Sequence, residues 1–498
     1  MIETIAEAAS YLLWGEVWFF IFLGCIIGLV FGALPGLSGL TALALALPFT
    51  YGWDPMVAFF FFAGMMGSVA FGGSIPAILL NTPGTPPNAA TCFDGYPMAQ
   101  RGEAGKALGI SATASGLGAI FGLVVLVILI PLVLPIILAF RPPEVLMMVL
   151  FGLTCVAFAA KGNTLKGLIA GGLGVFISLI GFSNVFGVLR FNLGSEYLWD
   201  GIELVPFMIG FFAINEMINL SLRGRIITED RISGNPGSAW DGAKEVFKHK
   251  TTFFRSSVIG TIIGIIPGVG GTVSNFLAYI SAKQSSKHPE TFGTGDPEGV
   301  IASEAANDAK DGGALLPTVA FGIPGSAEMA VLLGCFILHG LEPGPMLMRE
   351  HMDIVFALIF GLVISNILAS TCGLLAGNFL AWITTINVSN IIPVVIAVCL
   401  SGAFVLRGNI WDVAVCLLAG IFGYALNRFG FPPVCLVIGV VLGYIAEKNF
   451  TMSLMMSRGD YSIFFTRPIS LILFFLFIAV LALPFILKLR ANSRSKIS

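Results

Sequence analysis

Apolar runs long enough to cross a bilayer recur along this chain, and Pro-Gly blocks interrupt them at matching places in its two halves. A spanning helix needs roughly 20 apolar residues. Candidate runs lie near 17–34, 55–80, 116–139, 143–160, 165–188, 202–221, 253–280, 314–347, 352–378, 389–406, 409–427, 430–447 and 468–488. Only 11% of the 498 residues are charged, where soluble domains carry about 25%. The spacing predicts an all-α polytopic membrane protein, with about 10–13 transmembrane helices and re-entrant or broken segments among them.

Several function classes drop out early. A net charge of −2 gives no field for nucleic acid. The start, "MIETIAEAAS", is acidic and lacks the basic region of a secretory signal, so the first apolar run reads as a retained helix. The eight cysteines form no CxxC pair and fall mostly in apolar runs, as small buried hydrophobes do. The four histidines, His249, His288, His339 and His351, form no HExxH, and no metal site is expected. With no nucleophile motif, an intramembrane enzyme is disfavoured. The absence of GxxxxGK[ST] points away from ATP as the energy source.

The breaks carry the most information. "GALPGLSG" (32–39) rhymes with "GIIPGVGG" (264–271), and "NTPGTPPNAAT" (81–91) with "FGIPGSAEMA" (321–330). Breaking a helix in lipid strands backbone N–H and C=O groups, and such breaks survive when buried in protein or lining a wet cavity. Proline fixes the turn, glycine bares the backbone, and the next half-helix starts with free N–H groups that attract anions. A lone proline such as Pro131 or Pro135 reads as a packing kink. The blocks add hydroxyls and amides, and read as a midplane site for an anionic solute and a cation.

Lys and Arg mark the cytoplasmic loops. Arg223, Arg225, Arg231, Lys244, Lys248, Lys250 and Arg255 place 221–255 inside, and Lys488, Arg490, Arg494 and Lys496 place the tail there too. Counting back puts Lys161, Lys166, Arg101 and Lys106 inside. The rear half fits less well, leaving Arg349, Arg407, Arg458 and Arg467 outside. On this count, unit 17–106 starts outside and unit 253–350 starts inside. Similar sequence in opposite topology is an inverted repeat, a recurring construction of secondary transporters. Pro35 pairs with Pro267 and Pro83 with Pro324, the second offset being longer by nine residues. The hydrophilic stretch Ser281–Gly313 supplies that insertion. The expected organisation is a first repeat over 1–221, a cytoplasmic linker over 222–252, a second repeat over 253–488 and a basic cytoplasmic tail over 489–498.

Intramembrane charges are functional suspects. Glu328, just after "GIPGS", reads equally as a proton or sodium site and as a helix cap. Asp94, in "DGYPMAQRGEAGKALG", reads as part of a solvated loop. "EAANDAKDGG", with Glu304, Asn307 and Asp308, reads as a charged loop that is either solvated or meets the site or a partner.

At these blocks the chain resembles the large membrane subunit of the tripartite tricarboxylate transporter family, TctA. The resemblance rests on "GALPGLSGLTALALALPFTYGWDP", "FGGSIPAILLNTPGTPPNAATCFDGYPMAQRGEAGKALG", "GIIPGVGGTVSNFLAY", "EGVIASEAANDAKDGGALLPTVAFGIPGSAEMAVLLG" and "GLEPGP". It implies a multi-pass permease of the bacterial inner (cytoplasmic) membrane, not an enzyme. Its partners would be a small TctB-like membrane subunit, a periplasmic TctC-like solute-binding protein and the membrane lipid. The substrate would be citrate or a related organic carboxylate, taken up by symport with Na+ or H+, with no other cofactor. The working mode implied is an elevator.

By the same resemblance, substrate-binding residues are expected in the paired motifs. In the first copy these are Pro35, Gly36, Ser38, Gly39, Asn81, Thr82, Gly84, Thr85 and Asn88. In the second they are Gly268, Gly270, Gly271, Thr272, Ser274, Asn275, Gly325 and Ser326. Glu328, Asn307 and Asp308 are the ion-coupling candidates. No arginine lies within the blocks, so a carboxylate would be held by neutral donors and helix dipoles. The alternatives are the large subunit of a related binding-protein-dependent dicarboxylate transporter and, further off, a channel.

Overall fold

A computed structural model describes residues 2–34, 36–159, 164–183, 187–223, 238–384 and 390–494. Pro35, Lys161, Arg225, Arg231 and Lys496 lie outside the described residues, as does 224–237 of the expected linker.

The architecture is all-α. The first half runs α1 (Ile2–Ser10), α2 (Gly15–Ala33), α3 (Gly39–Ala46), α4 (Pro55–Leu80), α5 (Cys92–Gln100) and α6 (Ala104–Leu138). There follow α7 (Pro142–Ala159), α8 (Thr164–Ser178) and a small antiparallel hairpin, β1 (Gly181–Ser183) with β2 (Val188–Arg190), in which Gly181 faces Arg190. Then α9 (Leu204–Met208) passes through a π-turn at Ile209–Ile214 into α10 (Asn215–Arg223). The second half runs α11 (Ala239–Lys248), α12 (Lys250–Ile265), α13 (Gly270–Ser285), α14 (Pro297–Phe321), α15 (Ala327–Leu338), α16 (Pro345–Glu350) and α17 (Met352–Ile383). It closes with α18 (Ile392–Val405), α19 (Ile410–Arg428), α20 (Pro433–Met456), α21 (Ile463–Thr466) and α22 (Pro468–Arg494). Among the described residues, seven helices are long and apolar enough to cross a membrane. Six shorter apolar helices, Gly39–Thr50 and Ala327–Leu338 among them, accompany those seven.

Several sequence expectations need correction. The run 253–280 is two helices, α12 and α13, broken at 266–269 and packed on each other. The run 165–188 stops at Ser178 and turns into the β-hairpin. The largest change concerns Ser281–Gly313. From Pro297 it is helix α14, and every residue from Gly299 to Ala320 is buried, so "EAANDAKDGG" is neither loop nor solvated. Hydropathy missed this helix because Glu304, Asp308, Lys310 and Asp311 lower it, and the hydroxyls that satisfy Glu304 come from elsewhere in the chain.

Helices α4 and α14 form the centre. α4 is buried from Met56 to Ile78. It packs against α2 and α17, while α14 packs against α12 and α6. Small residues set these approaches. A methyl added at Gly28 would fall 2.4 Å from the Met65 carbonyl oxygen, and one at Gly260 would fall 2.5 Å from that of Ala306. The match repeats one turn on, with Gly32 against Val69 O at 2.6 Å and Gly264 against Lys310 O at 2.3 Å. These pairs are related by the same two offsets that relate the Pro-Gly blocks. Both central helices carry a proline near the end, Pro76 and Pro317, and both stop at a left-handed residue, Asn81 (φ 52°) and Gly322 (φ 69°).

The ends of the bundle are tied by polar contacts. At one end Arg101 donates to the carbonyls of Thr294 (2.8 Å) and Gly295 (2.5 Å). Asp94 lies there too, and it is 1% exposed rather than solvated. It accepts from the backbone N–H of Gly293, Gly295 and Asp296 and from Tyr279 Oη, all at 2.8 Å. At the other end His339 Nε2 meets Thr50 Oγ1 at 3.3 Å. The loop before α14 thus lies with the segment after α5, and the loop before α4 with the segment after α15.

Candidate functional site

The first breaks place two short helices. Gly36 and Gly268, at φ +87° and +75°, turn the chain at equivalent points after α2 and α12. These are left-handed values that glycine alone adopts without cost. Ser38 then caps α3, its Oγ accepting from Thr41 N–H at 3.3 Å. After the break at the end of α14, Ser326 Oγ accepts from Met329 N–H at 3.3 Å and caps α15. Both serines, expected as substrate donors, are used as helix caps.

The second breaks fold back onto the helices they leave. Gly84 N–H donates to Gly73 O at 3.1 Å. Gly325 N–H lies 3.3 Å from Thr318 Oγ1, and the Gly325 carbonyl accepts from Gly268 N–H at 3.2 Å. Asn275, fully buried in α13, donates its amide to Pro87 O at 2.9 Å and so ties the second half to the break at 81–91. Ser274 hydrogen-bonds within its own helix, to Gly271 O at 3.0 Å. Thr272 is half-buried, Asn81 exposed, and Thr82 bonds only locally, to Leu80 O at 3.2 Å.

Between the two central helices lies a cavity of about 20 Å³. From α4 come Met66, Val69 and Ala70; from α14 come Asn307, Lys310 and Asp311. Leu43, Thr85, Pro87 and Glu328 complete the wall. Of the expected site residues, the structure brings Thr85, Asn307 and Glu328 to this cavity. Gly39 and Gly271 sit directly behind it. A methyl at Gly39 would fall 2.3 Å from Val69 Cγ1, and one at Gly271 2.2 Å from Lys310 Cε.

Lys310 was not anticipated. It is 4% exposed, and its Nζ donates to Asp311 Oδ1 at 2.5 Å. An ammonium therefore lines this cavity, a charged donor beside the neutral ones expected from the blocks. Asn307, 1% exposed, has neither amide atom hydrogen-bonded among the described residues, and the same holds for both carboxylate oxygens of Asp308.

One layer behind, Glu304 is fully buried and saturated. Ser74 donates to both its oxygens (2.8 and 2.7 Å), and Ser111 and Ser115 donate at 3.0 and 2.9 Å. Thr91 donates to it as well. Four hydroxyls from α4, α6 and the 81–91 break thus stabilise one α14 carboxylate, the satisfaction that a buried charge requires. Asn88 extends the network, donating to Ser74 Oγ at 2.7 Å and Ala70 O at 3.1 Å, and accepting from Thr85.

A family model described as "Tripartite tricarboxylate transporter TctA family" matches residues 18–438. The chain belongs to the TctA family. It is similar to an Agrobacterium vitis protein described as an uncharacterized 52.8 kDa protein in the TAR-I ttuC' 3'region. The two are 32% identical over 457 residues, which is 91% of this chain and 90% of that protein. A second A. vitis protein, from the TAR-II ttuC' 3'region, is 33% identical over 211 residues, 42% of this chain and 87% of the relative. No solved structure matches. Membership sets aside the related dicarboxylate family as the chain's own. Within this TctA chain, the signal that would have found Lys310 and Asp311 is the 241-residue offset. It carries Met66, Val69 and Ala70 onto Asn307, Lys310 and Asp311, and Thr85 and Pro87 onto Ser326 and Glu328.

Proposed function

We propose that this chain is the permease subunit of a binding-protein-dependent secondary transporter that imports tricarboxylates or related organic carboxylates, driven by Na+ or H+ symport. It works in the bacterial inner membrane with a small membrane subunit and a periplasmic binding protein that delivers the solute. One observation carries the reading. The cavity is walled by equivalent residues of two broken central helices, and the buried Lys310 lines it beside an Asn307 amide that has no partner among the described residues. Ammonium and amide N–H groups converging on one space suit a carboxylate.

The inverted repeat belongs to the same proposal. The matched glycine contacts and the placement of the α4 and α14 loops at opposite ends support it. The site then lies where the repeats meet, as in other transporters of this construction. A cavity of about 20 Å³ holds roughly one water. A citrate-sized solute enters only when the α4 and α14 faces part, and an elevator-type slide of one bundle past the other is the movement we assign.

The test is uptake of labelled citrate into proteoliposomes holding the three subunits, under an imposed sodium or proton gradient. Accumulation above equilibrium under one gradient is the expected result and names the ion. Flux that only equilibrates citrate would make the protein a channel.

A further inference from the structure

The cavity holds more acid than base. Lys310 brings one ammonium to its wall, while Asp311 and Glu328 bring two carboxylates. Asp308 lies beside them on α14, fully buried and without a hydrogen-bond partner among the described residues. Glu304 stands behind, already saturated by hydroxyls. Lys310 and Asp311 are paired at 2.5 Å, with side chains 6% and 10% exposed. Among the described residues the Asn307 amide is open, and one of the three Lys310 N–H donors goes to Asp311. A substrate carboxylate that reaches Lys310 therefore competes with Asp311 for a single ammonium charge. Where it displaces Asp311, that residue becomes a buried carboxylate without a counter-charge, which burial makes unfavourable. Substrate anion, Asp311 and Glu328 against a single ammonium leave an excess of negative charge that one monovalent cation reduces.

We propose that Lys310 and Asp311 form an exchangeable ion pair: the substrate carboxylate replaces Asp311 at Lys310 and Asn307, and the released Asp311, with Glu328, takes the coupling cation. This rests on the permease reading above and gives it a coupling step. Substrate binding creates the cation's site, and by reciprocity the cation tightens substrate binding by the same factor. Two cations meet the need. A proton bonds to a carboxylate oxygen of Asp311. Sodium is held by oxygens of Asp311, Glu328 and Asn307, ligands of the hard type it takes. The cavity's size suits a water or a bare monovalent ion when no substrate is present. Gly271 leaves the space that the Lys310 stem occupies, since a methyl there would sit 2.2 Å from Cε.

Equilibrium binding of labelled citrate to the full chain in lipid nanodiscs tests this, with sodium present or replaced by choline, at acidic and at alkaline pH. In the unsubstituted protein one of the two cations raises citrate affinity about tenfold or more. Sodium dependence at constant pH names sodium, and pH dependence without sodium names the proton. Asp311→Asn makes citrate affinity independent of both, within about twofold. Lys310→Met/Asp311→Asn removes both buried charges together, and so carries the test even if the single variant fails to fold. It binds citrate at least about a hundredfold more weakly, a loss of about 2.7 kcal/mol. Full ion dependence in Asp311→Asn, or unchanged binding in the double variant, overturns this proposal and leaves the permease reading intact. No citrate binding by the unsubstituted protein under any condition overturns the carboxylate reading and this proposal with it.

Discussion

Met66, Val69 and Ala70 on α4 stand, at the 241-residue offset, where Asn307, Lys310 and Asp311 stand on α14. The backbones around them are handled alike. Each central helix is approached by a glycine-bearing partner at the same two points, each carries a late proline, and each ends at a left-handed residue. The side chains facing the cavity diverge completely: α4 offers two apolar side chains and a methyl, and α14 offers an amide, an ammonium and a carboxylate. What the two central helices have in common is therefore the scaffold. The polar side chains of the cavity wall are concentrated on α14, and α4 supplies an apolar wall. The first half still contributes polarity one layer deeper, since Ser74, Thr91, Ser111 and Ser115 are what make Glu304 tolerable inside α14.

The asymmetry is tested most strongly at the Val69 and Lys310 pair. Lys310→Met orphans Asp311, and breaking a buried pair costs about 3–5 kcal/mol. Thermal unfolding in detergent should drop accordingly, and citrate uptake should be abolished. Val69→Ala loses only two buried carbons, about 1.5 kcal/mol, and should keep most uptake. Equal losses at both positions would dissolve the distinction between a chemical face and a wall.

The glycines behind these residues sharpen it. Gly39→Ala drives a methyl against the stiff Val69 side chain, and overpacking of this kind costs about 1–3 kcal/mol. Gly271→Ala meets the flexible end of Lys310, which yields. It should therefore cost less stability than Gly39→Ala and more uptake, because it shifts the ammonium. Paired unfolding and uptake assays on the two variants check this crossed pattern. A variant that lost both quantities in parallel would contradict it.

The smallest effects are expected where the two halves are alike. Ser38→Ala and Ser326→Ala each remove one helix cap, worth about 1 kcal/mol. Both should unfold slightly earlier and transport more slowly, by similar amounts. A large difference between them would show that one serine does more than cap.

Much of this arrangement was legible in the sequence. The run 55–80 coincides with α4, and the Pro-Gly blocks fall at all four breaks. The blocks could be read because proline and glycine act locally, through backbone geometry that needs no partner. The second central helix was hidden for the opposite reason. Its Glu304, Asp308, Lys310 and Asp311 lower its hydropathy, and what compensates Glu304 lies some two hundred residues away, on α4, α6 and the 81–91 break. Asp94 misled in the same way, since its four donors come from 279–296. The site residues divide likewise. Thr85, Asn307 and Glu328 reach the cavity, while Ser38, Ser326 and Ser274 serve local helix bonds. Pattern alone does not say which way a hydroxyl turns.

The central claim is that the carboxylate is held on the α14 face of this cavity. Its most direct test is labelled citrate uptake into proteoliposomes carrying the partner subunits and either the unsubstituted chain or Lys310→Met/Asp311→Asn, with equal amounts of folded protein confirmed. The account predicts gradient-driven accumulation in the first and background uptake in the second. Equal accumulation in both would place the carboxylate elsewhere in the molecule.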